Sequence, residues 1–193
     1  DTLVVNEIYA SLQGESTFAG LPCIFVRLTA CNLRCSYCDT AYAFTEGKKM
    51  LLQEVVQDVL RQAAPFSANT QSGRLPLVEL TGGEPLLRRD VTRLIRLLAA
   101  KPALRDLAIT TNGVLLAEQA PALKEAGLHR VTVSLDTLRP DRFLALTRRN
   151  SHAQVLEGIA AVARAGFTGT KIDTVVMRGV NDDELVDLVE FGR

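Results

Sequence analysis

The stretch from Thr29 to Thr40, TACNLRCSYCDT, constrains this chain more than any other. It sets Cys31, Cys35 and Cys38 at CxxxCxxC spacing directly behind an apolar run, Ile24 to Leu28. Three thiolates can therefore converge where a strand opens into a loop. A structural zinc or an ordinary cubane takes four protein ligands, whereas three thiolates on a four-iron cluster leave one iron open to a further ligand. The competing readings are a disulfide pair and a three-cysteine zinc site completed by histidine. For the latter the only histidines, His129 and His152, lie far off without ligand spacing. The fourth cysteine, Cys23, stands beside Pro22 with no neighbour at ligand spacing and reads as a buried or free thiol.

What the loop is built into follows from the rest of the chain. With 193 residues, 47% of them apolar, the sequence can bury a core and is expected to form one domain, residues 1–193. Lysine plus arginine and aspartate plus glutamate balance at 22 each, so nothing draws the protein as a whole to nucleic acid or to a membrane surface. A small molecule is the expected partner. No apolar run reaches the length of a membrane span and no signal peptide opens the chain, and cysteines spent on metal suit a reducing, cytoplasmic setting. The sequence starts without methionine and stops at Arg193 inside a helix-like pattern, so it reads as a C-terminally truncated fragment.

Strand-like and helix-like segments alternate along it. After an N-terminal segment, Leu3 to Leu12, strands are expected at Ile24–Leu28, Leu75–Leu80, Leu104–Thr110, Val131–Leu135 and Thr170–Met177. Helices are expected at Leu51–Ala64, closed by Pro65, at Asp90–Ala100 with Asp90 as N-cap, and at Leu116–Ala126 and His152–Ala165. A polar loop is expected at Ser67–Arg74. Such alternation argues for a parallel sheet with right-handed crossovers, and the polar steps fall at strand ends: the cysteine loop, TGGEP from Thr81 to Pro85, Thr110 to Asn112, and Ser134 with Asp136. Periodicity leaves an open doubly wound sheet and a curved, incomplete barrel as alternatives.

The cysteine spacing, with TGGEP at the next strand, resembles the radical SAM superfamily. The resemblance implies an α/β fold, an incomplete parallel (β/α) barrel of the radical SAM type. It also implies a [4Fe-4S] cluster on Cys31, Cys35 and Cys38, with S-adenosylmethionine on the open iron, cleaved reductively to an adenosyl radical. Tyr37 looks like the family's aromatic residue between the second and third cysteines. Tyr37, Asp39, Gly82, Gly83, Glu84 and Ser134 would contact the cofactor. An electron donor such as flavodoxin or ferredoxin is implied as a partner, and a homodimer is a further expectation.

Within the superfamily the chain resembles two families. Residues 3 to about 80, with VNEIYASLQGE and FVRLTACNLRCSYCDTAYAF, are similar to 7-carboxy-7-deazaguanine synthases. That likeness implies a 6-carboxytetrahydropterin substrate contacted by Leu12, Gln13, Gly14 and Arg27, with Mg2+ at Thr40. From LTGGEPLLRRD onward the chain is similar to GTP 3′,8-cyclases, which implies a purine nucleotide contacted by Thr81, Thr110 and Lys171. The reading is a chain joined near residues 75–90, either a natural or artificial recombinant or an assembly product of two genes. The cyclase's arginine before LTGGEP is Glu79 here, a reversal that should repel phosphate, and the further cysteines of that family's C-terminal extension are absent. On these grounds the pterin is the expected substrate and the synthase, a carbon–nitrogen lyase, the expected activity. GTP cyclisation is the alternative, and a non-catalytic iron–sulfur or metal-binding fragment the reading from another class.

Overall fold

The computed structural model describes residues 1–67 and 76–193. A seven-stranded sheet is built from β1 (Thr2–Leu12), β2 (Pro22–Leu28), β3 (Lys48–Leu51), β4 (Leu77–Thr81), β5 (Asp106–Thr111), β6 (Arg130–Ser134) and β7 (Lys171–Asp173). Its order is β3-β1-β2-β4-β5-β6-β7. From β2 to β7 every pairing is parallel, while β1 runs antiparallel to both β2 and β3. The two edges, β3 and β7, do not meet. The result is the incomplete barrel that the alternation and the cysteine motif together imply.

Each parallel strand divides its residues between two faces because successive side chains point opposite ways. On β4, Val78 and Leu80 are fully buried while Glu79 and Thr81 are half-buried on the other face. Ile24, Val26 and Leu28 of β2, Ile109 of β5 and Val131 and Val133 of β6 join Val78 and Leu80 in one core. That core is covered by α1 (Leu52–Ser67), α2 (Val91–Ala99), α3 (Leu116–Glu125) and α5 (His152–Arg164), through Val55, Val56 and Val59, Leu94 and Leu98, Leu116 and Leu123, and Val155 and Val162. The opposite, concave face is left for polar side chains.

The elements depart from the sequence expectation in five places. Pro65 does not close α1, which continues to Ser67; a proline this near the end forfeits one late hydrogen bond, and the Ser67 hydroxyl bonds the Ala63 carbonyl. β3 was not foreseen because its two lysines mask a short edge strand that only β1 holds in place. A further helix, α4 (Pro140–Thr147), starts with proline in its first turn, where the missing N–H costs nothing. The last strand is Lys171–Asp173 alone, because Thr174 and Val175 bond the Leu135 carbonyl and the Asp136 carboxylate instead. Asp90 makes no side-chain cap to α2. The Ser67–Arg74 loop beyond Ser67, and Leu75, lie outside the described residues.

Candidate active site

The cysteine loop leaves β2 through Thr29, whose amide and hydroxyl both bond the Val4 carbonyl, and turns at Ala30, which holds a left-handed φ of 64°. This turn rests on the TGGEP step: Glu84 N donates to the Ala30 carbonyl at 2.7 Å, and a Cβ on Gly83 would come within 2.2 Å of that same oxygen. Gly82 likewise leaves room for the stem of Arg27. Both glycines are therefore demanded by the packing of chain on chain, before any ligand is considered. Further on, Arg34 N and Ser36 N donate to the carbonyls of Thr147 and Leu146, so α4 serves as the shelf for the loop. Tyr37 donates its hydroxyl to Asp136, at the end of β6. Burial and that bond push the Tyr37 hydroxyl far up, and burial also raises the Asp136 carboxyl.

Glu84 does something other than the expected cofactor contact. It is wholly buried, and its carboxylate accepts from Leu86 N at 2.9 Å, the Thr111 hydroxyl at 2.7 Å and Asn112 N at 2.7 Å. It thereby ties the end of β4 to the end of β5. The Asn112 so positioned donates its side-chain amide to Asn32 Oδ1 at 2.7 Å and to Cys31 Sγ at 3.7 Å, while its Oδ1 accepts from Val114 N. Leu33 N also points at Cys31 Sγ, at 3.3 Å. One cysteine sulfur thus has two N–H donors waiting for it.

Cys31, Cys35 and Cys38 all line a cavity of about 850 Å3 on the concave face. Burial raises the Cys31 thiol and pushes Cys35 up to about 11, so a metal centre must displace protons to bind. Among the described residues no three His, Cys, Asp or Glu side chains close on a point where a single ion would sit. Cys23 is buried away from the cavity, and burial, with Glu79 close by, raises its thiol strongly.

Most residues singled out in the sequence meet here. Gln13, Arg27, Tyr37, Asp39, Thr40, Thr81, Gly82, Gly83, Thr110 and Ser134 line the cavity. Four do not. Leu12 is 63% exposed at the end of β1, Gly14 is also exposed, Glu84 is sealed in the core, and Lys171 lies outside the lining with its ammonium over the Phe18 ring. Burial and the neighbouring Arg130 lower the Lys171 pKa. Arg27, expected to await a substrate carboxylate, is already satisfied: Nε bonds Glu7 at 2.7 Å and Nη2 bonds the Tyr9 hydroxyl at 2.8 Å, with Tyr42 stacked nearby. Thr40 bonds its own neighbour Asp39.

Tyr9, Phe25 and Asp173 also line the cavity, and no sequence motif marks them. Tyr9 and Phe25 stack at 5.3 Å, and Glu79 accepts from Gln13 Nε2 and from the Thr110 hydroxyl, both at 2.5 Å. Asp173, on β7, is pushed up to about 7 by burial and by a hydrogen bond with Glu15. The C-terminal halves of the parallel strands supply most of this face: Phe25 and Arg27 on β2, Glu79 and Thr81 on β4, Thr110 on β5 and Ser134 on β6.

Comparison with known proteins fixes the frame. The family model for the radical SAM superfamily matches residues 26–192. Among curated relatives, GTP 3′,8-cyclase 3 of Mycobacterium bovis is 50% identical over 169 residues, 84% of this chain and 43% of the relative. GTP 3′,8-cyclase of Moorella thermoacetica is 42% identical over 164 residues, covering 84% of this chain and 49% of the relative. The chain spans about half the length of the curated relatives it matches. Two solved structures share the fold: SuiB of Streptococcus suis, with a TM-score of 0.62, 20% identity and coverage of 84% of this chain and 34% of that one, and QueE from Escherichia coli, with a TM-score of 0.51, 21% identity and coverage of 90% and 95%.

These findings overturn the synthase reading. Curated relatives at up to 50% identity are named as cyclases, and a match over 84% of the chain necessarily runs through residues 75–90, so no join is needed there. The assignments made through that likeness, the pterin at Leu12, Gln13, Gly14 and Arg27 and magnesium at Thr40, lose their basis with it.

Proposed function

Because the chain belongs to the radical SAM superfamily, we propose that it holds a [4Fe-4S] cluster on Cys31, Cys35 and Cys38, binds S-adenosylmethionine, and acts on a guanine nucleotide in the manner of a GTP 3′,8-cyclase. The observation that carries the substrate is the 50% identity to the mycobacterial cyclase. When bound, the cluster and cofactor would supply one electron and, through it, an adenosyl radical able to take a hydrogen from carbon.

The chain's own residues prepare for that chemistry. Glu84 and Asn112 fix the Cys31 side of the loop, Asp136 fixes Tyr37, and α4 supports the backbone between them. The substrate space is the concave face, where Thr81, Thr110 and Ser134 present hydroxyls and Tyr9 and Phe25 present an aromatic wall. A planar base fits against such a wall. A flavodoxin- or ferredoxin-type electron donor belongs to the same proposal.

The test is anaerobic turnover of the reconstituted, reduced protein with S-adenosylmethionine and GTP carrying deuterium at C3′. Closing a bond from C3′ to C8 requires loss of the 3′ hydrogen, so deuterium should appear in 5′-deoxyadenosine. Formation of 5′-deoxyadenosine without deuterium from GTP would leave the superfamily chemistry and remove the substrate.

A further inference from the structure

The cysteine loop carries a group of arginines on its side away from the cavity. Arg34, inside the cysteine motif, donates Nη1 to the carbonyls of Cys31 at 2.7 Å and Leu33 at 2.6 Å, with its guanidinium over the Phe44 ring. Arg149, just past α4, donates Nε to the Asn32 carbonyl at 3.2 Å and Nη1 to the Arg148 carbonyl. Three consecutive carbonyls of the loop therefore carry guanidinium groups. Arg148 precedes Arg149 at the C-terminal end of α4 and holds a left-handed φ of 58°. All three arginines are exposed, and none lines the cavity.

The chain as a whole has no excess of basic residues, so this concentration is local. At the other end of α4 the arginines are balanced: Arg139 and Arg142 both pair with Asp183, and Arg142 also with Glu184. Among the described residues no aspartate or glutamate forms an ion pair with Arg34, Arg148 or Arg149. The C-terminal dipole of α4 accounts for a cation at Arg148, but not for Arg34, whose guanidinium is bonded to the loop. Exposed charges of one sign draw in and orient a partner of the other. The chemistry proposed above consumes an electron from outside the chain, and its cofactor and substrate occupy the cavity side of the loop. On the cluster reading, on which this inference rests, we propose that Arg34, Arg148 and Arg149 form the docking surface for an acidic one-electron carrier protein. The carrier is oxidised by one electron and the cluster reduced by one, with entry on the Cys31 side of the loop.

Stopped-flow reduction of the reconstituted full chain tests this with two reductants: flavodoxin hydroquinone, which has to dock, and photoreduced deazaflavin, a small molecule that does not. At low ionic strength Arg148→Asn/Arg149→Gln should slow reduction by flavodoxin about tenfold, and Arg148→Glu/Arg149→Glu should slow it further. Asparagine tolerates the left-handed φ at position 148, so the neutral variant keeps the turn. Iron content and reduction by deazaflavin should be unchanged in both. The difference between wild type and variants should close near 1 M salt, where charges are screened beyond about 3 Å. The inference is overturned if flavodoxin does not reduce the wild-type chain, or reduces the charge-reversed variant as fast. It is also overturned if both reductants slow alike, since the arginines would then act on the cluster and not on the carrier. Failure of deazaflavin to reduce the wild-type chain would sink the cluster reading itself, whereas a flavodoxin rate insensitive to the arginines on a normally reduced cluster would sink this inference alone.

Discussion

The rim and the floor of the same cavity are built in opposite ways. At the rim, contiguous motifs supply most of the chemistry: the cysteine loop, TGGEP and the Thr111–Asn112 step follow directly from strand ends and are fastened to one another by buried hydrogen bonds. On the floor, single side chains come from separate parts of the sheet: Gln13 just past β1, Glu79 on β4, Thr110 on β5 and Asp173 on β7. A rim of this kind can be shared by enzymes that act on different substrates, since it holds the radical-generating parts. A floor of this kind is free to vary one residue at a time. Function assigned from the rim alone is therefore a statement of reaction class, and the substrate has to be read from the floor.

The largest effect that would sharpen this contrast is expected at Glu84. Replacing it with alanine strips the acceptor from three buried donors and should cost roughly 3 kcal/mol or more, since each unmet buried donor costs about 1–3 kcal/mol. Chemical denaturation of the cluster-free chain measures it. A loss no larger than that of a surface substitution would mean the rim is not knit together as described.

Asn112 should act more narrowly. Hydrogen bonds to cluster sulfurs raise the reduction potential, so Asn112→Ala and Asn112→Asp should both lower the midpoint potential of the reconstituted cluster while the iron content holds. A redox titration followed by electron paramagnetic resonance decides this. An unchanged potential would reduce Asn112 to a spacer between β5 and the loop.

The effect on the floor shows only as a dependence on pH. Burial and the bond to Glu15 raise Asp173 to about 7 in the folded chain, against about 3.9 in an unfolded one. The folded state then holds the proton more tightly, so stability should fall as pH rises from about 4 to about 7 and level off above that. Asp173→Asn should flatten the slope in a series of thermal melts. The same slope in the variant would assign it to other groups.

How much of this was legible in the sequence follows the same division. The five parallel strands and four of the covering helices came from apolar periodicity, because the helix-facing sides of the strands are continuous blocks of Val, Ile and Leu. β3 and α4 were not legible, since KKML and PDRFLALT gain their structure from β1 and from the loop they carry. At the site, spacing gave the three cysteines but mistook Glu84, whose role depends on Thr111 and Asn112 lying beside it in the next strand. Arg27 was likewise judged without knowing that Glu7 would face it across the β1–β2 pair. Proximity across strands decides each of these cases, and it becomes visible only when register is known.

Three cysteines at the rim are proposed to hold a four-iron cluster that opens S-adenosylmethionine. The most direct measurement is 5′-deoxyadenosine formed by the anaerobically reconstituted and reduced protein with S-adenosylmethionine as the only small molecule added. About four irons per chain and slow, uncoupled release of 5′-deoxyadenosine are expected. Both should be lost in Cys31→Ala, Cys35→Ala or Cys38→Ala and kept in Cys23→Ala. Four irons bound without any cleavage, or equal damage from Cys23→Ala, would contradict it.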